Sequence, residues 1–318
     1  DFQQKLLSIL NLSKKEIEEI GINAKKTIDN LTSYQNVYLK KSQLINEMLS
    51  DKNIHSKFPF LEKIDFNPQN IKFEDNFEKG KLDVIIPFYN MGEFIEDTLK
   101  SLVKCDYKNM EVTIIDDGSD DKSSIEIIER LKKKYDFKYI RKENEGLALT
   151  RNFGSKEVNG EFIAFLDADD TVEPSYYSKA LSVLNQYDNV SFVGCWAKYF
   201  GESDQIWPTF TPEPPYLLVH NMINSSALIY KKNHFIAFGL NDPRMIYGME
   251  DYDSVISMVQ NGARGVAIPE LLWNYRIRSG SMQQSFTENK QLYLYRLIAD
   301  KHKAFFNLYG SEIANLLN

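Results

Sequence analysis

Residues 162–170 read FIAFLDADD, five apolar residues followed by a segment with three carboxylates. A strand that is apolar on both faces is typical of the centre of a parallel sheet, where helices cover both sides. We therefore predict a buried central strand over residues 162–166 that ends where the acidic residues begin. Side chains at positions i and i+2 of an extended segment point the same way, so Asp167 and Asp169 should project together beyond that strand.

The chain before this stretch alternates short β-rich runs with helical periodicity. Further strands are predicted at residues 84–86, 112–115 and 139–140. The intervening segments carry apolar residues at three- and four-residue steps, and Asn90 with Glu93 is the predicted cap of the first of these helices. This alternation predicts right-handed crossovers and an open, doubly wound α/β sheet.

The polar residues of these segments cluster at one edge of the predicted sheet. Ligands of open α/β sheets bind beyond the carboxyl ends of the strands. Three segments fall at that edge, namely residues 87–90, 116–120 and 167–170. The sequence therefore predicts one crevice to which several strands contribute side chains.

Composition excludes several classes of protein. The 318 residues are 43% hydrophobic and 26% charged, as in ordinary globular proteins, and the net charge of -7 argues against nucleic-acid binding. No apolar run approaches the length of about 20 residues that a membrane span needs. Cys105 and Cys195 form no metal-binding or disulfide pattern, which fits a reducing cytoplasm. The four histidines show no metal-ligand spacing and are interpreted as structural or surface residues.

The predicted sheet is flanked by helical segments. Ser13 and Glu16 form a capping box before an amphipathic stripe, with a break predicted around residues 29–33 and a connector over residues 52–79. We divide the chain into a helical extension and connector (1–79), an α/β domain (80–285) and a C-terminal helical segment (286–318). The extension carries no catalytic motif, and we predict that it serves homo-oligomer assembly, a further domain, or docking onto the α/β domain.

Asp167 and Asp169 are the strongest candidates for chemistry. Two adjacent carboxylates repel each other unless a cation lies between them, and Mg²⁺ or Mn²⁺ prefers oxygen ligands while keeping positions for water and phosphates. The alternative is that these acids cap the next helix. The residues alone leave both interpretations open.

Other polar groups are weaker candidates, each with a structural alternative. Asp116 and Asp117 could equally belong to an ordinary strand-to-helix turn with an N-cap. Glu250 and Asp251 begin a helix, where acids are favoured by the dipole, although one of them could act as a general base. Gly146 would let a group approach the backbone closely, and Arg151 could pair with acids of the crevice or hold a substrate. Arg276 and Arg278 could bind a diphosphate, or else form a solvated face.

Taken in order, these segments resemble the family 2 glycosyltransferases, which are inverting, nucleotide-sugar-dependent enzymes with the GT-A fold. The resemblance covers about residues 81–285. The matching motifs are VIIPFYN (84–90), IDDGSD (115–120), NEG (144–146) with Arg151-Asn152, FLDADD (165–170) and Glu250-Asp251. It implies a donor half (80–173) and an acceptor half (174–285).

The resemblance also implies roles for individual residues. Pro87, Tyr89, Asn90 and Asp117 would bind the nucleotide base and ribose, with Gly146 and Arg151 also on the donor side. Asp167 would bind the ribose, and Asp169 would hold Mn²⁺ or Mg²⁺ on the diphosphate. Asp251, rather than Glu250, would deprotonate the acceptor. Many relatives have a metal-binding His close to Arg278, so here Arg276 and Arg278 would bind the diphosphate directly.

The function expected from this resemblance is transfer of a sugar, with UDP-sugar as the expected donor. The acceptor would be a hydroxyl of a glycan or of a lipid-linked or protein-linked acceptor. We expect a cytoplasmic location, with the inner membrane face as a peripheral alternative. A catalytically silent nucleotide-sugar or glycan-binding module is the other hypothesis, and retention of Asp169 and of the Glu250-Asp251 pair disfavours it.

Overall fold

The structure, a computed structural model, describes residues 12–32, 43, 77–281 and 286–317. The chain divides into two units, Asp1–His55 and Ser56–Asn318, which are described separately. Within the described ranges, no helix has both the length and the apolar character needed to cross a bilayer.

Helix α1 (Lys14–Thr32) belongs to the first unit and begins with the predicted capping box. The Ser13 amide donates to Glu16 Oε2 at 2.7 Å, and the Glu16 amide donates to Ser13 Oγ at 3.3 Å. The helix continues through Asp29 and Asn30, where a break was predicted. Most of the predicted connector lies outside the described residues, although its expected end at residue 79 is late because the next strand begins at Glu78.

The second unit is built on a mixed sheet of nine described strands. Its strands are β1 (Glu78–Phe88), β2 (Met110–Asp116), β3 (Lys138–Arg141), β4 (Gly160–Phe165), β5 (Thr171–Val172), β6 (Phe192–Gly201), β7 (Ile206–Trp207), β8 (Ile229–Lys231) and β9 (Gly265–Ile277). The order is β3-β2-β1-β4-β8-β6-β9-β5, with β7 on the outside of β6.

Helices cover the sheet and follow the strands in the predicted alternation. They are α2 (Gly92–Val103), α3 (Lys122–Leu131), α4 (Leu147–Glu157), α5 (Tyr176–Gln186), α6 (Glu250–Gln260), α7 (Glu288–Lys301), α8 (Lys303–Leu308) and α9 (Gly310–Leu317). The C-terminal helical segment predicted at 286–318 is thus divided into three helices, the first of which begins at Glu288.

The first four strands are parallel, as predicted, because each is joined to the next by a helix. Strand β4 is central, but its second neighbour is β8, which runs antiparallel to it. The predicted central position of this strand is confirmed, and its neighbours are parallel on one side and antiparallel on the other. A continuous apolar run reports burial on both faces and carries no information about the direction of the neighbouring strands.

Strand β1 shows why the polar residues meet at one edge. Its central residues, 84–86, are fully buried, and its last residue, Phe88, lies in register with Asp116 at the end of β2. On its other side, pairing with β4 stops at Phe165, immediately before the acidic segment. The ends of β1, β2 and β4 therefore open onto the same space.

Candidate active site

A cavity of about 820 Å³ lies beyond these strand ends. Of the thirteen candidate residues identified in the sequence, Asn90 and Asp116 do not line it. The other eleven do: Pro87, Tyr89, Asp117, Gly146, Arg151, Asp167, Asp169, Glu250, Asp251, Arg276 and Arg278. The fold thus brings together side chains from both predicted halves of the domain.

Asn90 is one of the two candidates that do not line this cavity. Its amide nitrogen donates to Asp120 Oδ1 at 2.7 Å, and its amide oxygen accepts from the Asp120 and Asp121 backbones at 3.1 and 3.0 Å. The prediction that Asn90 caps α2 was wrong: the N-cap position is Met91, with no side-chain cap. Asn90 instead joins the loops after β1 and β2, and its left-handed φ of 54° permits this turn.

Asp117 is held by the start of α4. Its carboxylate accepts from the backbone amides of Glu145 at 2.9 Å and Gly146 at 2.8 Å, and also from Lys142 Nζ. Burial alone would raise the pKa of Asp117, but these hydrogen bonds hold it below its ordinary value. The cap of α3 is Asp121, so neither Asp116 nor Asp117 fills the N-cap role considered for this turn.

Gly146 makes this arrangement possible because its φ of 90° is a conformation that side chains with a Cβ rarely adopt. It is the N-cap residue of α4, and its amide points away from the helix toward Asp117. The loop after β3 and the acid after β2 are thereby joined at the cavity wall.

Arg151 lies at the centre of a buried charge network. Only 2% of its surface is exposed, and its guanidinium donates to Glu250 Oε1 at 2.6 Å and to Asp167 Oδ1 at 2.7 Å. The next residue, Asn152, exchanges two hydrogen bonds of 2.8 Å with the Asn241 backbone. Helix α4 therefore connects the acidic end of β4 to the segment that leads into α6.

The two acids that begin α6 have different surroundings. Glu250 is 4% exposed and ion-paired to Arg151, and burial raises its pKa to about 7 although the arginine acts in the opposite sense. Asp251 is half-buried in the cavity wall, and its Oδ1 accepts a hydrogen bond from the Tyr252 amide at 2.7 Å. Within the described part of the chain, Asp251 forms no ion pair, so its carboxylate is available to a substrate.

The turn before α6 sets the direction of these acids. Met249 has a left-handed φ of 64°, directly after Gly248 at 116°. A non-glycine residue in this region is uncommon and costs free energy, so the surrounding structure must hold it there. Asn241 contributes to this by donating to the Glu250 carbonyl at 3.2 Å.

Arg276 and Arg278 lie against the acidic segment after β4. Arg278 Nε donates to Asp169 Oδ2 at 2.8 Å, and Arg276 Nε donates to the Asp169 carbonyl at 2.8 Å. Both guanidinium groups lie 5.0 Å from the Phe94 ring centroid. Burial and the negative charges of Asp169 and Asp167 raise the pKa of neighbouring Asp170, which accepts from the Arg276 amide.

The donor chemistry of this segment fits a divalent cation. Asp167 Oδ1 and Asp169 Oδ2 are paired with arginines, whereas the second oxygen of each carboxylate has no hydrogen-bond partner among the described residues. No group of three His, Cys, Asp or Glu side chains in the described ranges could enclose a metal ion. Mg²⁺ and Mn²⁺ do not require one, because they commonly keep waters and substrate phosphates as ligands.

Sequence reasoning did not identify two contacts, one beside the cavity and one that supports α6. Lys142, which bonds Asp117, could have been found because it directly follows β3 at the same edge of the sheet. His302 is a buried structural residue, in agreement with one of the two interpretations given to the histidines, but its partner, Asp253 of α6, was not predicted. No local pattern indicates that pairing, since 49 positions separate the two residues.

Comparison with known proteins identifies the family. The model of glycosyl transferase family 2 matches residues 83–240. The chain belongs to this family. The match includes the ends of β1, β2 and β4, whereas Glu250, Asp251, Arg276 and Arg278 follow it in the sequence.

Individual relatives of this family member are distant. Glycosyltransferase GlyA of Streptococcus pneumoniae is 24% identical over 65% of the chain, which spans only 32% of GlyA. The chain also covers less than two thirds of other curated glycosyltransferases that it matches. It covers 62% of YibD of Escherichia coli and 56% of RT0329 of Rickettsia typhi.

Solved structures share the GT-A fold. TarS of S. aureus in complex with UDP-GlcNAc has a TM-score of 0.56 at 22% identity, covering 69% of this chain and 65% of that one. The mannosyltransferase PcManGT of Pyrobaculum calidifontis, in complex with GDP-Man and Mn²⁺, has a TM-score of 0.52 at 18% identity, with coverages of 64% and 59%.

Proposed function

We propose that this chain is a nucleotide-sugar-dependent glycosyltransferase that inverts configuration at the transferred sugar. The observation that carries the proposal is that a single cavity contains the Asp167–Asp169 segment together with the carboxylate of Asp251, which forms no ion pair with any described residue. The first could hold a diphosphate through a cation, and the second could accept a proton. Family membership supports the same reaction.

The reaction is a single displacement. Asp251 accepts the proton of an acceptor hydroxyl while that oxygen bonds to the anomeric carbon, and the bond from this carbon to the diphosphate oxygen breaks. Glu250 is engaged by Arg151, which favours Asp251 as the base. Asp117, Pro87 and Tyr89 lie where the nucleoside would bind.

In this proposal the diphosphate binds beside Asp169, Arg276 and Arg278. Asp169, with Asp167 beside it, would hold Mn²⁺ or Mg²⁺, which when bound stabilises the negative charge that develops on the departing diphosphate. Arg278 lies 2.8 Å from Asp169 and can turn its guanidinium toward a phosphate oxygen when a cation takes its place on the carboxylate.

The expected donor is a UDP-sugar carrying a hexose or an N-acetylhexosamine. The complex of TarS with UDP-GlcNAc supports this choice, and that of PcManGT with GDP-Man makes a GDP-sugar the alternative. The acceptor is a hydroxyl of a glycan or of a lipid-linked or protein-linked saccharide, and we propose a cytoplasmic location.

A donor screen tests the proposal. Purified protein is incubated with UDP-GlcNAc, UDP-glucose, UDP-galactose and GDP-mannose, with Mn²⁺ or with EDTA, and nucleoside diphosphate release is measured. We expect release from one donor class in Mn²⁺ only. Donor binding without release, with or without saccharide acceptors, would instead support a silent binding module.

A further inference from the structure

We propose that the junction between α7 and α8, formed by Lys301 and His302, is a positioning element of the active site. In this element His302 sets the orientation of α6, the helix that carries Asp251. The inference rests on the proposed function for its catalytic consequence. It rests on contacts of residues that follow the family-matched segment, and so concerns a part of the chain that the family model does not describe.

The first observation is a buried carboxylate on α6. Asp253, two positions after Asp251, is fully buried, and both of its oxygens are paired with the junction. His302 Nε2 lies 2.9 Å from Oδ1, and Lys301 Nζ lies 2.5 Å from Oδ2. A buried carboxylate without such partners is strongly destabilising, so α6 depends on the junction for its position.

His302 contacts both ends of α6. Its other ring nitrogen, Nδ1, lies 2.6 Å from Oε1 of Gln260, which is the last residue of the helix. The imidazole is 2% exposed and is therefore held on two sides in a packed environment. One rigid ring thus fixes the first and the last turn of the helix together.

The junction also holds the segment that leads into α6. Lys301 Nζ lies 3.6 Å from Asp242 Oδ2, and Asp242 is bonded in turn by Arg244 at 2.6 and 3.0 Å. Two residues of α7 make further contacts. Tyr293 packs edge-on against Tyr247, in the segment before α6, with ring centroids 5.8 Å apart, and Tyr295 lines the cavity.

In the described part of the chain, the junction contacts the helix that carries the candidate base but not the candidate donor-binding residues. The donor candidates Asp117, Asp167 and Asp169 lie at strand ends, and none of them contacts the junction within the described residues. Asp251, in contrast, lies in the first turn of α6 beside Asp253. Disturbing His302 should therefore displace the base and leave nucleotide binding intact.

The experiment compares three variants of the full chain. His302→Ala removes the ring, His302→Gln keeps an amide nitrogen close to the position of Nε2, and Lys303→Ala changes the exposed neighbouring residue as a control. Backbone hydrogen exchange is measured over residues 250–254. UDP affinity in Mn²⁺ and turnover of the donor selected by the screen, with water as acceptor, are measured as well.

For His302→Ala, we expect faster exchange at residues 250–254 and a loss of kcat of about 10-fold or more, because small misplacements of reacting groups are costly. The UDP dissociation constant should stay within about twofold of the original. His302→Gln should restore most of the exchange protection at residues 250–254 and most of kcat. Lys303→Ala should match the unmodified chain in both measurements.

Two results would overturn the inference. One is unchanged exchange at residues 250–254 in His302→Ala, which needs no activity to be observed. The other is an active, folded His302→Ala protein with normal kcat, or one whose UDP affinity falls as much as kcat. If the unmodified chain turns over no donor, the proposed function fails, and the exchange measurement still decides the positioning role.

Discussion

At the scale of single residues, Asp251 and Glu250 differ in what their carboxylates contact. Arg151 engages Glu250, whereas Asp251 remains open to the cavity. We expect Asp251→Asn to lose about 10²–10⁴ in turnover, the usual cost of a missing general base, while retaining nucleoside diphosphate binding with Mn²⁺. Steady-state kinetics and calorimetry would measure the two effects.

Glu250→Gln is the matched variant, because it replaces the carboxyl group one position earlier in the same turn with an amide of the same size. Near-normal turnover in Asp251→Asn together with lost turnover in Glu250→Gln would mean that the roles are exchanged. Activity in both variants would place the base elsewhere.

Glu250 also makes stability depend on pH. Burial raises its pKa from 4.5 to about 7, so the folded chain holds a proton there that the unfolded chain releases at lower pH. The free energy of unfolding therefore has its full contribution from this group below about pH 4.5 and loses it as pH rises through about 7.

Glu250→Gln should remove this part of the pH dependence. Urea denaturation of both proteins at several pH values between 4.5 and 7.5 would measure this dependence. The free energy of unfolding should decline less steeply with rising pH in the variant. Asp167 and Asp170 also have raised pKa values, so the comparison between the two proteins is the informative quantity. An equal slope in both would contradict the account.

At the scale of elements, α2 and α3 are in close contact at their first turns. A Cβ on Gly92 would lie 2.5 Å from the Ser124 Cα, and the Gly92 amide donates to Ser124 Oγ at 2.9 Å. We expect Gly92→Ala to lower the free energy of unfolding by about 1–3 kcal/mol, since the helices must separate. Urea denaturation would measure this.

Gly310→Ala is the control for this substitution, because its added Cβ would have no described atom within 4 Å apart from its chain neighbours and the backbone of its own helix. We expect no loss of stability there. Equal stability of both variants would show that the helix starts are not tightly packed.

Local sequence patterns predicted the elements and the edge at which the site lies, because strand and helix periodicities depend on neighbouring residues. These patterns could not predict all of the hydrogen-bond partners and neighbouring strands that come from distant parts of the sequence. Pairing of Arg151 with acids of the crevice was one of the two predicted alternatives and is confirmed, at Asp167 and Glu250. Asn90, in contrast, bonds the loop at Asp120 instead of capping α2. The antiparallel neighbour of β4 was missed for the same reason.

At the scale of the whole molecule, the role predicted for residues 1–79 is assembly or docking. We expect that removing residues 1–77, which precede β1, changes the oligomeric state or lowers the thermal unfolding midpoint. Light scattering after size-exclusion chromatography and calorimetry would detect these changes. An unchanged oligomeric state, stability and activity would leave neither role standing.

The central claim is that the carboxylates after β4 hold a nucleoside diphosphate through a divalent cation, with Asp169 as ligand. Calorimetric titration of UDP into the protein tests it, with Mn²⁺ or EDTA, for the unmodified chain and for Asp169→Ala. The account predicts binding that requires Mn²⁺ and is lost in Asp169→Ala, whose thermal unfolding midpoint is unchanged. Binding that is equally tight with EDTA and with Mn²⁺ would contradict it.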